Sequence, residues 1–298
     1  MAALLALASA LAYGVGDFFG GLSSRRLPSA AVVLRTHAAG LVGLIVLLPL
    51  VSSTASQRDL TIGAIGGLAG GAGVMLFYRG MARGTMSIVA PITSVLAAMV
   101  PVVVGIASGE RPSAVAFAGI PIALVAVVLL AREPGPSGEA TVAGEAIVPR
   151  ETDTAGLAPA QLAEALAAGL GFGLYFVALD LTNESSGLWP VVSGRVTSVL
   201  LFSVIAVVTT AARVGDGRAR QGALPLMLVA CGLLDAWANS LFLLATHHGM
   251  LTLVAVIGAL YPASTLMLAR AVLGERLARV QLVGVLLAGA AVALVSIG

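Results

Sequence analysis

Asp17, Arg35, Arg195, Asp235 and Asn239 bring charge or hydrogen-bonding capacity into stretches that are otherwise apolar. A charge deep in a membrane-length run costs at least about 2.5–3.5 kcal/mol, so each of these needs compensation or a function. Asp235 stands about twelve residues into a run of roughly 24, near its middle at about 1.5 Å per residue. Asn239 follows one helical turn later on the same face. No basic residue stands at an obvious matching depth, so Asp235 reads as a proton or solute site in a cavity. The other reading is an acid held neutral beside Asn239. Trp237 lies on the same run, pointed away from that face, and is kept as a candidate wall residue.

Asp17 and Arg35 flank a six-residue connection between the first two runs, at similar depth on neighbouring antiparallel helices. That placement predicts a contact between them, either a structural ion pair or one that opens during a conformational cycle. Tyr13 precedes Asp17 by one turn on the same face, whereas His37 falls roughly opposite Arg35 and reads as a packed polar residue. Arg195 is the counterpart of Arg35 in the second half of the chain. A guanidinium there can hold a carboxylate or phosphate through two parallel hydrogen bonds, or extend towards the nearer surface. No acid stands opposite it in sequence unless Asp180 or Glu184 folds back. Tyr175, near Phe172 and among Gly169, Gly171 and Gly173, joins an aromatic ring to a thin backbone, and Tyr261 does so beside Pro262. Pro91, Pro101 and Pro262 predict breaks in the fourth and ninth runs.

The elements carrying these residues are long apolar runs. The chain has 298 residues, 59% hydrophobic and 10% charged, against roughly 25% charged in an average soluble domain. Lipid is therefore the expected solvent. Ten runs reach spanning length: 2–22, 29–50, 61–81, 85–107, 113–131, 160–180, 188–211, 223–246, 250–271 and 278–297. All should be helical, since an open sheet leaves backbone groups unsatisfied in hydrocarbon.

The chain also repeats itself. Residues 77–130 align with 242–295 at a constant offset of 165, matching Phe77 to Phe242, Gly84 to Gly249 and Gly109-Glu110-Arg111 to Gly274-Glu275-Arg276. An odd number of spans per copy makes the two copies insert with opposite orientation, as in many secondary transporters. The expected fold is an all-α membrane protein of ten transmembrane helices in two inverted five-helix repeats. The repeats cover 1–131 and 160–298, and a Pro- and acid-rich flexible linker covers 132–159. Glycines four apart in the third run predict close helix packing.

All sixteen basic residues are arginine. Arg25, Arg26, Arg132, Arg150, Arg213, Arg218, Arg220, Arg276 and Arg279 fall on one side, and only Arg58 and Arg111 on the other. The positive-inside rule puts the first set in the cytoplasm, and both termini outside. The first run lacks a positive region before it and is read as a span, not a cleaved signal. Cys231 stands alone, so no intrachain disulfide can form.

The two five-span halves, Tyr13-Gly14 early in the first, Phe77-Tyr78-Arg79-Gly80-Met81-Ala82-Arg83-Gly84 after the third, and Gly-Glu-Arg after the fourth and ninth resemble the EamA family of the drug/metabolite transporter superfamily. That resemblance implies a central cavity between the halves, alternating access, and movement of a small metabolite, amino acid or drug, commonly outward across the plasma membrane. Where many members carry an aromatic-Gly-x-Asn pattern, this chain reads Tyr13-Gly14-Val15-Gly16-Asp17. A carrier or flippase for a nucleotide sugar or lipid-linked sugar is the alternative within transport, and a non-transporting membrane subunit the alternative outside it. The expected partners are a small-molecule substrate, the lipid bilayer and, in the coupled version, protons exchanged at Asp235. Neither nucleic acid nor a cofactor is expected, and oligomeric state is not legible. No zinc-hydrolase or nucleophile motif is present, so an enzyme is not expected.

Overall fold

The computed structural model describes residues 1–51, 53–82, 86–130, 159–212, 224–273 and 278–297. The expected linker, apart from Pro159, and the second Gly-Glu-Arg triplet lie outside the described residues, as do Arg83 and Gly84. Regular structure among the described residues is helical: α1 (Ala2–Ser24), α2 (Ser29–Leu47), α3 (Gln57–Ala82), α4 (Met86–Ala107), α5 (Ala114–Leu130), α6 (Pro159–Asp180), α7 (Trp189–Ala212), α8 (Leu224–His247), α9 (Leu251–Gly258), α10 (Tyr261–Leu273) and α11 (Arg279–Ile297). Seven candidate membrane spans among the described residues are long and apolar enough: α1, α2 with the turn that follows it, α3, α6, α8, α11 and most of α7. Shorter apolar stretches run over Ile92–Ala107, Ala114–Leu130 and Leu251–Thr265.

Each expected run is met by a helix, the ninth by two. Pro262 has no amide hydrogen and its ring crowds the carbonyl four residues back. That residue is Gly258, where α9 ends. The breaks expected at Pro91 and Pro101 do not occur, for α4 is continuous from Met86 to Ala107. A proline removes a single ladder bond, and α4 is supported along its length by α6 and α9.

Neighbours in sequence are seldom neighbours in space. The main packing partners of α1 are α8 and α10, those of α3 are α6 and α7, and those of α2 are α7 and α8, while α4 meets α6 and α9, and α5 meets α11. The glycine-rich face of α3 lies in these contacts: a methyl group on Gly67 would strike the backbone of Gly194 on α7. The expected close packing of the third run is thus present. Large apolar side chains such as Leu4, Val46, Val207 and Leu286 point outward, the distribution that hydrocarbon solvent favours.

Two carboxylates tie one end of the bundle together. Asp59, buried in the first turn of α3, accepts at Oδ2 from Ser186 Oγ (2.6 Å), Asn183 Nδ2 (2.9 Å) and Asn183 N (3.2 Å). This anchorage explains why α3 begins at Gln57, four residues before the apolar run. Glu110 follows α4 and reaches the N-terminus of α9, accepting from Leu251 N (2.6 Å) and Thr252 N (2.9 Å), with the Thr252 hydroxyl as a further donor. These are amides that a helix start leaves without intrahelical partners, and the positive end of the helix dipole favours an anion there. Gly109 turns the chain into this position at φ +101°, a left-handed conformation open to glycine. The first Gly-Glu-Arg triplet is therefore a turn plus a cap on a helix of the other half of the chain.

Candidate functional site

Asp235 lies eleven residues from the start of α8 and twelve from its end. Its carboxylate pairs with the guanidinium of Arg195 on α7, an ion pair whose members are 17% and 5% exposed at their side chains. Both residues were legible as candidates, but each as lacking a partner. The correction is that they are each other's partner. Sequence offered no link because α7 and α8, though consecutive, touch only marginally.

Asn239, one turn along α8, donates from Nδ2 to the Asp235 carbonyl (2.7 Å) and carboxylate Oδ1 (3.3 Å). Tyr13 Oη donates to Asn239 Oδ1 at 2.6 Å, linking α1 into the cluster. His37 comes in from α2: Nδ1 lies 2.6 Å from Ser198 Oγ on α7, and Nε2 lies 3.9 Å from Asp235 Oδ2. A cavity opens among these groups. Its walls include Tyr13, Asp17, His37, Tyr175, Arg195, Asp235, Asn239 and Tyr261, with the thin backbone of α3 at Gly67, Gly70 and Gly71.

Aromatic rings form one side. Tyr13 lies 6.0 Å from Phe176 and 6.4 Å from Tyr261 between ring centres, and Phe176 stacks on Phe242 at 4.1 Å. Tyr175 sits against Gly70, where a β-carbon would collide with its ring. A glycine face on α3 thus makes room for an aromatic wall on α6.

Seven of the nine residues expected at the site line this cavity, and Arg35 and Trp237 do not. Arg35 is exposed, and among the described residues no ion pair joins it to Asp17. The reason is packing. The buried stripe of α2 is Val32, Val33, Thr36, His37, Gly40 and Leu44, which leaves Arg35 on the outer side. Asp17 instead lines the cavity, beside Tyr78 of α3 and on the side of Asp235 of α8. Trp237 is half exposed on the outer face of α8, as an aromatic on a lipid-facing surface would be.

His37 is packed and polar, on the side of α2 away from Arg35, as expected, and sequence reasoning missed only that this side lines the cavity. The signal for it was the polar pair Thr36-His37 followed by Gly40, a small-residue contact stripe of the kind that marks a helix interface.

Among the described residues, no group of three His, Cys, Asp or Glu side chains gathers as metal ligands would. Fold and site together define a multi-pass helical membrane protein with a polar, charge-paired cavity at mid-depth. Residues 1–132 and 162–297 match the EamA-like transporter family, and the chain belongs to that family. A solved crystal structure aligns with TM-score 0.75 over 99% of this chain and 96% of its own length at 16% identity, a likeness of fold. Among curated proteins none matches the sequence.

Proposed function

We propose that the protein is a secondary transporter that carries a small organic solute through the cavity around Arg195 and Asp235 by alternating access. The observation that carries this reading is the buried ion pair in a mid-depth cavity built from both halves of the chain. A membrane protein keeps such a pair where a polar pathway uses it. In this reading ten spans form two inverted repeats. Reciprocal packing supports that: α1 on α8 is answered by α6 on α3, α2 on α8 by α7 on α3, and α4 on α6 by α9 and α10 on α1. Swapping the halves maps each contact onto its partner.

With the arginine-rich loops in the cytoplasm, the end tied by Asp59 and Glu110 faces outward. The transporter then sits in the plasma membrane with its cargo site between that end and the cytoplasm. Purified protein in liposomes, loaded with amino acids, amines or carboxylates, should accelerate counterflow of at least one of these solutes. Arg195→Gln should abolish it. Counterflow equal to that of empty liposomes for every solute class would reject transport.

A further inference from the structure

We propose that the cavity takes an organic monocation in exchange for a proton, and that Asp17, rather than Asp235, is the group that alternates between them. The proposal rests on the transport reading above and names its substrate class.

Charge balance leads to it. The cavity walls carry two carboxylates, Asp17 and Asp235, one guanidinium, Arg195, and the imidazole of His37. Arg195 keeps its charge at any working pH. Its partner Asp235 is already engaged by Arg195 and Asn239. Releasing Asp235 to a solute would strand a buried guanidinium, which cannot discharge itself by losing a proton. Asp17 has no ion-pair partner among the described residues. With His37 neutral, the walls carry one negative charge in excess, and either one proton or one monocation cancels it.

The groups facing Asp17 fit a cation. Tyr13 comes from its own helix, Tyr78 of α3 reaches Asp17 directly and meets Cys231 of α8 at 3.4 Å, Tyr261 is supplied by α10, and Tyr175 of α6 lines the same cavity. His37, Arg195 and Asp235 complete the charged and titratable set from α2, α7 and α8. Aromatic faces attract cations, more so where water is excluded. Three buried side-chain atoms in the same walls, Arg195 Nε, His37 Nε2 and Tyr261 Oη, have no hydrogen-bond partner among the described residues. Arg195 Nε is a donor, and His37 Nε2 is one when Ser198 donates to Nδ1. A solute that brings an acceptor, such as a carbonyl, as well as a positive charge satisfies them. The step balances: the Asp17 carboxyl O–H bond breaks, the proton leaves to water on the open side, and the carboxylate pairs with the incoming cation.

The test uses benzoylcholine, a permanent monocation with an aromatic ring and a carbonyl acceptor, titrated calorimetrically into the purified full-length protein in buffers of different ionisation heat. Binding should release about one proton per cation at neutral pH. Asp17→Asn should bind at least about tenfold more weakly, a loss of about 1.4 kcal/mol, and release none. Asp17→Glu should restore the release, and Arg35→Gln, outside the cavity, should keep it. Absence of binding to the intact protein, binding without proton release, or release that survives Asp17→Asn overturns the proposal. So does tighter binding of benzenesulfonate with proton uptake, which would make Arg195 an anion site. Cation binding with proton release but no benzoylcholine counterflow would leave the exchange site standing and remove the transport reading. Counterflow of other solutes without cation binding would do the reverse.

Discussion

Arg195 and Asp235 bridge two helices, α7 and α8, that otherwise scarcely touch. The pair therefore spans the cavity instead of sealing a packed interface. Its energetics should show this. Arg195→Gln and Asp235→Asn each leave a buried charge alone and should each lower stability by about 3–5 kcal/mol. The double variant should lose markedly less than the sum. Thermal unfolding in detergent of the wild type, both single variants and the double variant provides the cycle. Additive losses would mean that the two residues act independently.

Arg35 should behave in the reverse of what helix-face arithmetic suggests, and His37 as a packed polar residue. Arg35 is exposed, so Arg35→Gln should change stability by no more than about 0.5 kcal/mol. Asp17→Asn combined with Arg35→Gln should be additive. His37→Ala leaves Ser198 without its 2.6 Å partner in a buried site and should cost about 1–3 kcal/mol. A destabilising Arg35→Gln and a silent His37→Ala would restore the Asp17–Arg35 pair.

The same two residues mark the limit of the sequence. Composition and run length located the long apolar helices among the described residues, because hydrocarbon demands about 20 apolar residues per crossing whatever the topology. Residue chemistry located Asp17, Asp235, Arg195 and Tyr13, because a polar group in such a run is expensive wherever it sits. Pairing was not legible. The Asp17–Arg35 contact assumed that α1 and α2 pack together because they are consecutive, yet each packs chiefly on helices of the other half. Arg195 and Asp235 were both singled out without being joined, since their meeting depends on how α7 and α8 are held apart. The role of Glu110 was hidden for the same reason: its partners, Leu251 and Thr252, lie 141 and 142 residues away.

Glu110 should stabilise the end of the bundle that it caps. Glu110→Gln keeps the shape and removes the charge from hydrogen bonds to two amides and a hydroxyl. Hydrogen bonds to charged groups contribute about 1.5–3 kcal/mol each at most sites, and Gln retains part of that. A net loss of about 2 kcal/mol is expected, with faster hydrogen exchange at Leu251 and Thr252 than at the centre of α8. Unchanged exchange at those two amides would show that the cap contributes nothing.

The central claim is that the cavity at Arg195 and Asp235 opens to both sides of the membrane in turn. Val74 lines that cavity on α3, and Cys231 is the native cysteine. In a Cys231→Ser background, Val74→Cys can be exposed to a charged, membrane-impermeant thiol reagent added to either face of sealed vesicles of known orientation. The account predicts modification from both faces, each slowed by saturating solute. Modification from one face alone, at the same rate with and without solute, would contradict it.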